Sequence, residues 1–155
     1  VAINRDEAAA LAQGYVQMAP KLAAFADEVP ELIKTGIGEK DAPIRLADLS
    51  QKISSLGCRY LVVTNGAEGA YLGEGETIHF CPTVPTKLES TIGAGDAFNS
   101  TLSHALVSGQ SVADALRLGV ANAASVAGFV DAQTGLLRSD DLAARKPDLA
   151  VYSTA

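Results

Sequence analysis

Ser90-Thr91-Ile92-Gly93-Ala94-Gly95-Asp96-Ala97-Phe98 is the stretch on which the reading of this chain turns. Two glycines flank an alanine, and an aspartate follows at once. Beyond it, Ala97-Phe98-Asn99-Ser100-Thr101-Leu102-Ser103-His104-Ala105-Leu106 reads as a helix. A small-residue loop that opens a helix leaves several backbone N–H groups without intrahelical partners. Those donors and the positive end of the helix dipole together make a site for phosphate. A carboxylate at its rim, Asp96, is placed to take a proton from an attacking hydroxyl. The same spacing also fits a tight turn in which Asp96 is only the N-cap, a position that Asp favours.

Upstream of the loop, Arg59-Tyr60-Leu61-Val62-Val63-Thr64 is β-branched and nearly continuous in apolar residues, the pattern of a buried strand. Ala70-Tyr71-Leu72 and Thr77-Ile78-His79-Phe80 predict a hairpin around Gly73-Glu74-Gly75. Leu46, Leu49, Ile53 and Leu56 form one stripe of a helix over 44–56, with Gly57 as its stop. Residues 8–18 predict another helix, closed by Pro20, and residues 27–43 a polar, turn-rich excursion with a short helix near Glu31-Leu32-Ile33. Downstream, helices are expected over 97–107, 112–128 and near Leu142, with Asp131-Ala132-Gln133-Thr134-Gly135 as a loop. This order is that of a single α/β domain over residues 1–155, a layered sheet flanked by helices.

Composition narrows the function classes. The 155 residues are 48% hydrophobic and 19% charged, enough for one domain with a core. The formal charge of −6, without Lys/Arg clusters, argues against nucleic acid as a partner. No apolar run approaches the ~18 residues of a membrane span, and the start shows no signal-peptide pattern. Cys58 and Cys81 lack metal-ligand spacing and read as buried reduced thiols of a cytoplasmic protein. His79 and His104 read as ordinary surface or packing residues. There is no G-x-x-x-x-G-K-[ST] phosphate loop, and the lone G-x-G lacks the third glycine of a dinucleotide fingerprint.

Thr91-Ile92-Gly93-Ala94-Gly95-Asp96-Ala97-Phe98 resembles the signature of the ribokinase-like (PfkB) family of carbohydrate and nucleoside kinases. Three further segments agree in order and spacing. Asn4-Arg5-Asp6-Glu7 resembles the family's N-x-x-E motif. Val62-Val63-Thr64-Asn65-Gly66-Ala67-Glu68-Gly69-Ala70 resembles its T-x-G-x-x-G nucleotide segment. Val120-Ala121-Asn122-Ala123-Ala124 resembles the late helix that packs near adenine. The resemblance implies a ribokinase-like fold, of which this chain carries the C-terminal portion, without the part that holds the sugar and the lid. It also implies ATP-dependent phosphoryl transfer to a hydroxyl of a sugar or sugar phosphate; a nucleoside kinase, or a nucleotide-binding fragment without catalysis, is the alternative.

Carried onto this chain, the resemblance implies Gly93, Ala94 and Gly95 as the anion cradle and Asp96 as general base. Asn4, Thr64, Gly66, Gly69 and Asn122 would line the nucleotide, and Glu7 would serve Mg2+ through water, in keeping with that ion's preference for oxygen ligands. Locally, Asn4 and Glu7 fit a helix cap with its box partner equally well, and Thr64-x-Gly66 fits a simple strand–turn–strand. Ser90 stands where the family commonly has the Asp that helps to hold a monovalent cation. Its neutral hydroxyl counts against that cation and points to the sugar-phosphate branch. A sheet cut midway would expose apolar edges, so self-association or poor solubility is expected; the resemblance implies a homodimer, a form common in the family, though usually through elements that this chain lacks.

Overall fold

The computed structural model describes residues 2–4, 42–145 and 151–153. In chain order its elements are β1 (Ala2–Asn4), α1 (Ala42–Ser55), β2 (Tyr60–Thr64), a 3-10 turn (Gly66–Glu68), β3 (Gly69–Glu74) and β4 (Thr77–Pro82). They continue with α2 (Ala94–Val107), α3 (Val112–Ala127), α4 (Ser139–Arg145) and β5 (Tyr152–Ser153). The strands form one sheet in the order β1-β2-β3-β4-β5. β1 runs parallel to β2, with Ala2 opposite Val62, Ile3 opposite Val63 and Asn4 opposite Thr64. Parallel neighbours need a crossover connection, and α1 lies on it. The α/β class expected from the sequence is the one observed.

The chain divides into two compact units. The first takes in β1, α1, β2 and the hairpin segment Tyr71–Ile78. Leu46, Leu49 and Ile53 of α1 and Leu61, Val62 and Val63 of β2 are buried, which is the apolar stripe and the buried strand that the pattern predicts. Pro43 sits in the first turn of α1 rather than in a preceding loop; its absent N–H would have had no intrahelical partner there. At the other end Gly57, at φ 95°, donates to the carbonyl of Ser54, and Cys58 N–H reaches that of Ile53. This bond pair is the Schellman motif, and it stops the helix where a glycine was expected to.

The hairpin turn falls at Gly75-Glu76, two residues past the predicted centre. Only the first of the two central residues has positive φ (Gly75, 59°), the II′ pattern that suits the twist of a two-residue hairpin. Gly73 belongs to β3 instead. A Cβ there would run into the hydroxyl of Ser50 on α1 and lie 3.1 Å from Ile78 Cδ1. Gly73 is therefore small for close helix–strand approach, not for turning.

The second unit takes in Gly66–Ala70 and His79–Tyr152. Its core is built by Ala97, Phe98, Leu102 and Ala105 of α2 and by α3, in which nine residues from Ala115 to Val126 are buried. The two helices meet closely where the Phe98 ring would lie 3.1 Å from a Cβ on Gly119. Gly109 (φ 79°) closes α2 with a second Schellman pair, Gly109 N–H to Leu106 and Gln110 N–H to Ala105. Ser111 then caps α3 by accepting from Asp114 N–H at 3.1 Å. Cys81 is buried in this unit, and burial pushes its thiol up to about 11; Cys58 is only half-buried, against the expectation of two buried thiols. The helix predicted over 8–18 and the one near residues 31–33 lie outside the described residues. Among the described residues no helix is long and apolar enough to cross a membrane.

Candidate functional site

Helix α2 begins at Ala94, three residues before the predicted start. Gly93 is its N-cap, in the left-handed conformation (φ 78°, ψ −8°), with no side chain to cap the end. Ala94, Gly95 and Asp96 are thus the first three helical residues, and the reading of Asp96 as the N-cap is corrected: it stands at the third position, in the first turn. Two hydrogen bonds close the turn, Ala94 N–H to the carbonyl of Thr91 at 3.3 Å and Ala97 N–H to that of Gly93 at 2.9 Å. The N–H groups of Gly95 and Asp96 find no acceptor among the described residues. Both residues are exposed.

The two glycines serve different ends. A Cβ on Gly93 would collide with the methyl of Ala132 and lie 2.9 Å from its Cα, and the backbone there is one that L side chains rarely adopt. Gly93 is fixed by the chain's own geometry. Around Gly95 no atom of the described residues outside its own helix turn lies within 4 Å of an added Cβ, and its φ is not positive. Among the described residues nothing requires a glycine at that place, yet a glycine in a helix is less stable than an alanine by roughly 0.5–1 kcal/mol. The vacant volume above Gly95 adjoins the two unpartnered N–H groups. An anion seated there would accept from both and gain from the helix dipole. The residues present therefore fit a phosphate group.

Ser90 and Ala132 frame the turn. The Ser90 hydroxyl accepts from Ile92 N–H at 3.1 Å, and the N–H groups of Glu89 and Ser90 both donate to the carbonyl of Ala127 at the end of α3. The loop 131–135 is held by Asp131, whose carboxylate accepts from the N–H groups of Gln133 and Thr134 at 2.8 Å each and from the Thr134 hydroxyl at 2.7 Å. Those bonds, the Thr134 hydroxyl first, hold the Asp131 carboxyl below the usual carboxylate range. Gly135 lets the loop return against α3, for a Cβ there would sit 2.6 Å from Val126 Cα. Asp131-x-x-Thr134 followed by a glycine is an Asx-turn pattern that marks a rigid one.

The other predicted site residues fall in three groups. Asn4 and Thr64 are brought side by side, paired in register at the ends of β1 and β2. Asn4 ends a strand; the helix start that it would cap, and Glu7 with it, lie outside the described residues. Gly66 opens the 3-10 turn, exposed and at φ 49°, with nothing within 4 Å of an added Cβ. Gly69 is buried at φ 131°, and a Cβ there would meet the carbonyl of Cys81 and lie 2.8 Å from Pro82 Cα, so sheet contact alone requires it. Asn122 is 4% exposed, and its amide is committed internally: Nδ2 donates to the Thr101 hydroxyl at 2.7 Å, and Oδ1 accepts from Leu137 N–H at 3.0 Å. Among the described residues no group of three or more His, Cys, Asp or Glu is placed to hold a metal ion.

A helix packed on a parallel strand pair, with further helices in the chain order, puts the chain in the α/β class. Within that class the chain belongs to the pfkB family carbohydrate kinases, whose family model matches residues 3–138. It is 35% identical over 92 residues to a ribokinase of Lactococcus lactis, covering 59% of this chain and 30% of that protein. It is 35% identical over 81 residues to a 1-phosphofructokinase of Haloferax volcanii, covering 52% of this chain and 27% of that one. The solved ribokinase of Thermotoga maritima matches its fold with a TM-score of 0.58 at 23% identity, over 70% of this chain and 40% of that one. The match thus covers under a third of the length of the two curated relatives.

Proposed function

We propose that the chain is the nucleotide-binding and catalytic portion of an ATP-dependent kinase that phosphorylates a hydroxyl of a sugar or sugar phosphate. The observation that carries this reading is the vacant space above Gly95 beside the unpartnered N–H groups of Gly95 and Asp96. Phosphoryl transfer is largely a matter of positioning and of stabilising charge. The Gly93–Gly95 backbone holds the transferred phosphate, and its donors meet the charge that grows in the transition state, an effect worth a few kcal/mol. Asp96 accepts the proton of the attacking hydroxyl, worth about two to four orders of magnitude in rate. Gly66, with Asn4 and Thr64 in their paired strands, lies along the nucleotide. Asn122, in the late helix, serves the adenine side of the nucleotide. Glu7 would serve Mg2+ through water, and the ion would supply charge neutralisation at the phosphates.

The names of the relatives, a ribokinase and a 1-phosphofructokinase, support a sugar or sugar-phosphate acceptor. Calorimetry with Mg·ATP, run beside an ADP-release assay on sugars and sugar phosphates, tests the assignment. Asp96→Asn is expected to keep Mg·ATP binding within about threefold and to lower turnover at least a hundredfold. Turnover that survives the substitution removes Asp96 from its role. Binding without turnover in the parent chain favours the nucleotide-binding fragment.

A further inference from the structure

We propose that Thr101 and Asn122 are positioning residues for nucleotide binding, acting through the loop that backs the anion site; the proposal rests on the reading above. Asn122 is a polar side chain buried in α3, where an apolar residue would pack as well. Its two amide atoms face different elements. Nδ2 donates to Thr101 on α2, five residues after Asp96, and Oδ1 receives the N–H of Leu137, just past the loop. Both ends of that loop are therefore held by α3. Gly128 fixes its start as the C-cap, donating to the carbonyl of Ser125, and Asn122 fixes its far end. Between them the Asp131 bonds stiffen the loop, and Ala132 sits against Gly93, the cap of α2.

The consequence is mechanical. The cradle at Gly93 has no side-chain cap, so its shape depends on the Ala132 wall. Beside the Asp131 bonds and the Gly135 contact, the Leu137–Asn122 bond holds that wall at its far end, and the Thr101 hydroxyl holds the Asn122 rotamer. A buried amide that loses its acceptor is costly, and the side chain turns to recover a partner. Loss of the Thr101 hydroxyl thus reaches the anion site without touching it.

The test uses Thr101→Val, which keeps the shape and removes the hydroxyl, and Thr101→Ser, which restores it. Amide hydrogen exchange over residues 129–137 is read without ligand, and Mg·ATP affinity by calorimetry at a temperature where circular dichroism shows every variant folded. Thr101→Val is expected to speed exchange at Leu137 and across the loop about tenfold, with the amides of the α2–α3 core unchanged, and to weaken Mg·ATP about tenfold. Thr101→Ser is expected to return both to within about twofold of the parent. A Thr101→Val chain that binds Mg·ATP like the parent overturns the proposal while the nucleotide site stands. So does a loss that serine does not rescue, or exchange that rises equally throughout the core, since either is the mark of a merely structural bond. If the parent binds no Mg·ATP at all, the nucleotide reading itself fails and the proposal goes with it.

Discussion

Gly95→Ala separates folding from binding at one atom. The added methyl enters space with no neighbour within 4 Å, and the backbone at Gly95 is not in the left-handed region. The unfolded chain loses freedom and the helix gains a better former, so the substitution is expected to stabilise the ligand-free fold by about 0.4–1 kcal/mol. For a chain of this size that raises Tm by about 1–4 °C. The same methyl occupies the place proposed for phosphate. At a Mg·ATP concentration a hundredfold above the parent's Kd, ligand adds about 2.7 kcal/mol to stability. A tenfold weaker variant keeps about 1.4 kcal/mol of that, so its ligand-induced shift is about half the parent's. Thermal melts with and without Mg·ATP measure both quantities on one sample. Gly93→Ala is the companion control, because its methyl meets Ala132 and its φ is +78°. It is expected to destabilise the free chain by about 1–3 kcal/mol. A Gly95→Ala chain with a raised Tm and an undiminished ligand shift would refute the placement of the phosphate. A lowered Tm would refute the claim that the fold has no use for this glycine.

Three further outcomes are expected. Ser111→Ala removes the side-chain acceptor for Asp114 N–H at the start of α3 and should lower stability by about 1 kcal/mol in urea titration, with glycine at the same place costing only a few tenths. Ser50→Ala should leave stability unchanged or raise it by up to about 1 kcal/mol, because the Ser50 hydroxyl is buried beneath β3 with no hydrogen-bond partner among the described residues; a clear loss in the same titration would mean that the hydroxyl is used. Cys81 makes stability fall in alkali. Its folded value lies near 11 against an ordinary 9.0, so the neutral thiol is favoured in the folded state, with stability complete below about pH 9 and declining as pH rises toward 11. Melts across that range should flatten in Cys81→Ala.

The stripe Leu46, Leu49, Ile53 and the run Leu61–Val63 were legible in the sequence because their periodicity and length match how each element buries its face. β1 and β5, at three and two residues, are too short to carry a period; a partner strand makes them, not their own pattern. The misplaced hairpin turn has a clear cause. A glycine marks both a turn and a close approach, and only the neighbour, Ser50 against Gly73, tells which. At the site, the glycine turn and the helix were legible, but the cap was not, because Gly93 caps without a side chain. Asn122 is a poor helix former among alanines, which marks it in the sequence, whereas its bond to Thr101, 21 residues away in sequence, exists only once the helices pack.

Gly93 and Gly95 would part company under neglect. A lineage of this chain that ceased to handle phosphate would still need Gly93, since its loss strains the loop and the helix start alike. Gly95 would be released, and drift would favour alanine there because alanine makes the better helix. The identity of that one residue in a descendant is thus a record of use: glycine retained against its own folding disadvantage marks a site still under selection for its ligand, and alanine marks one that has fallen silent while its fold persists.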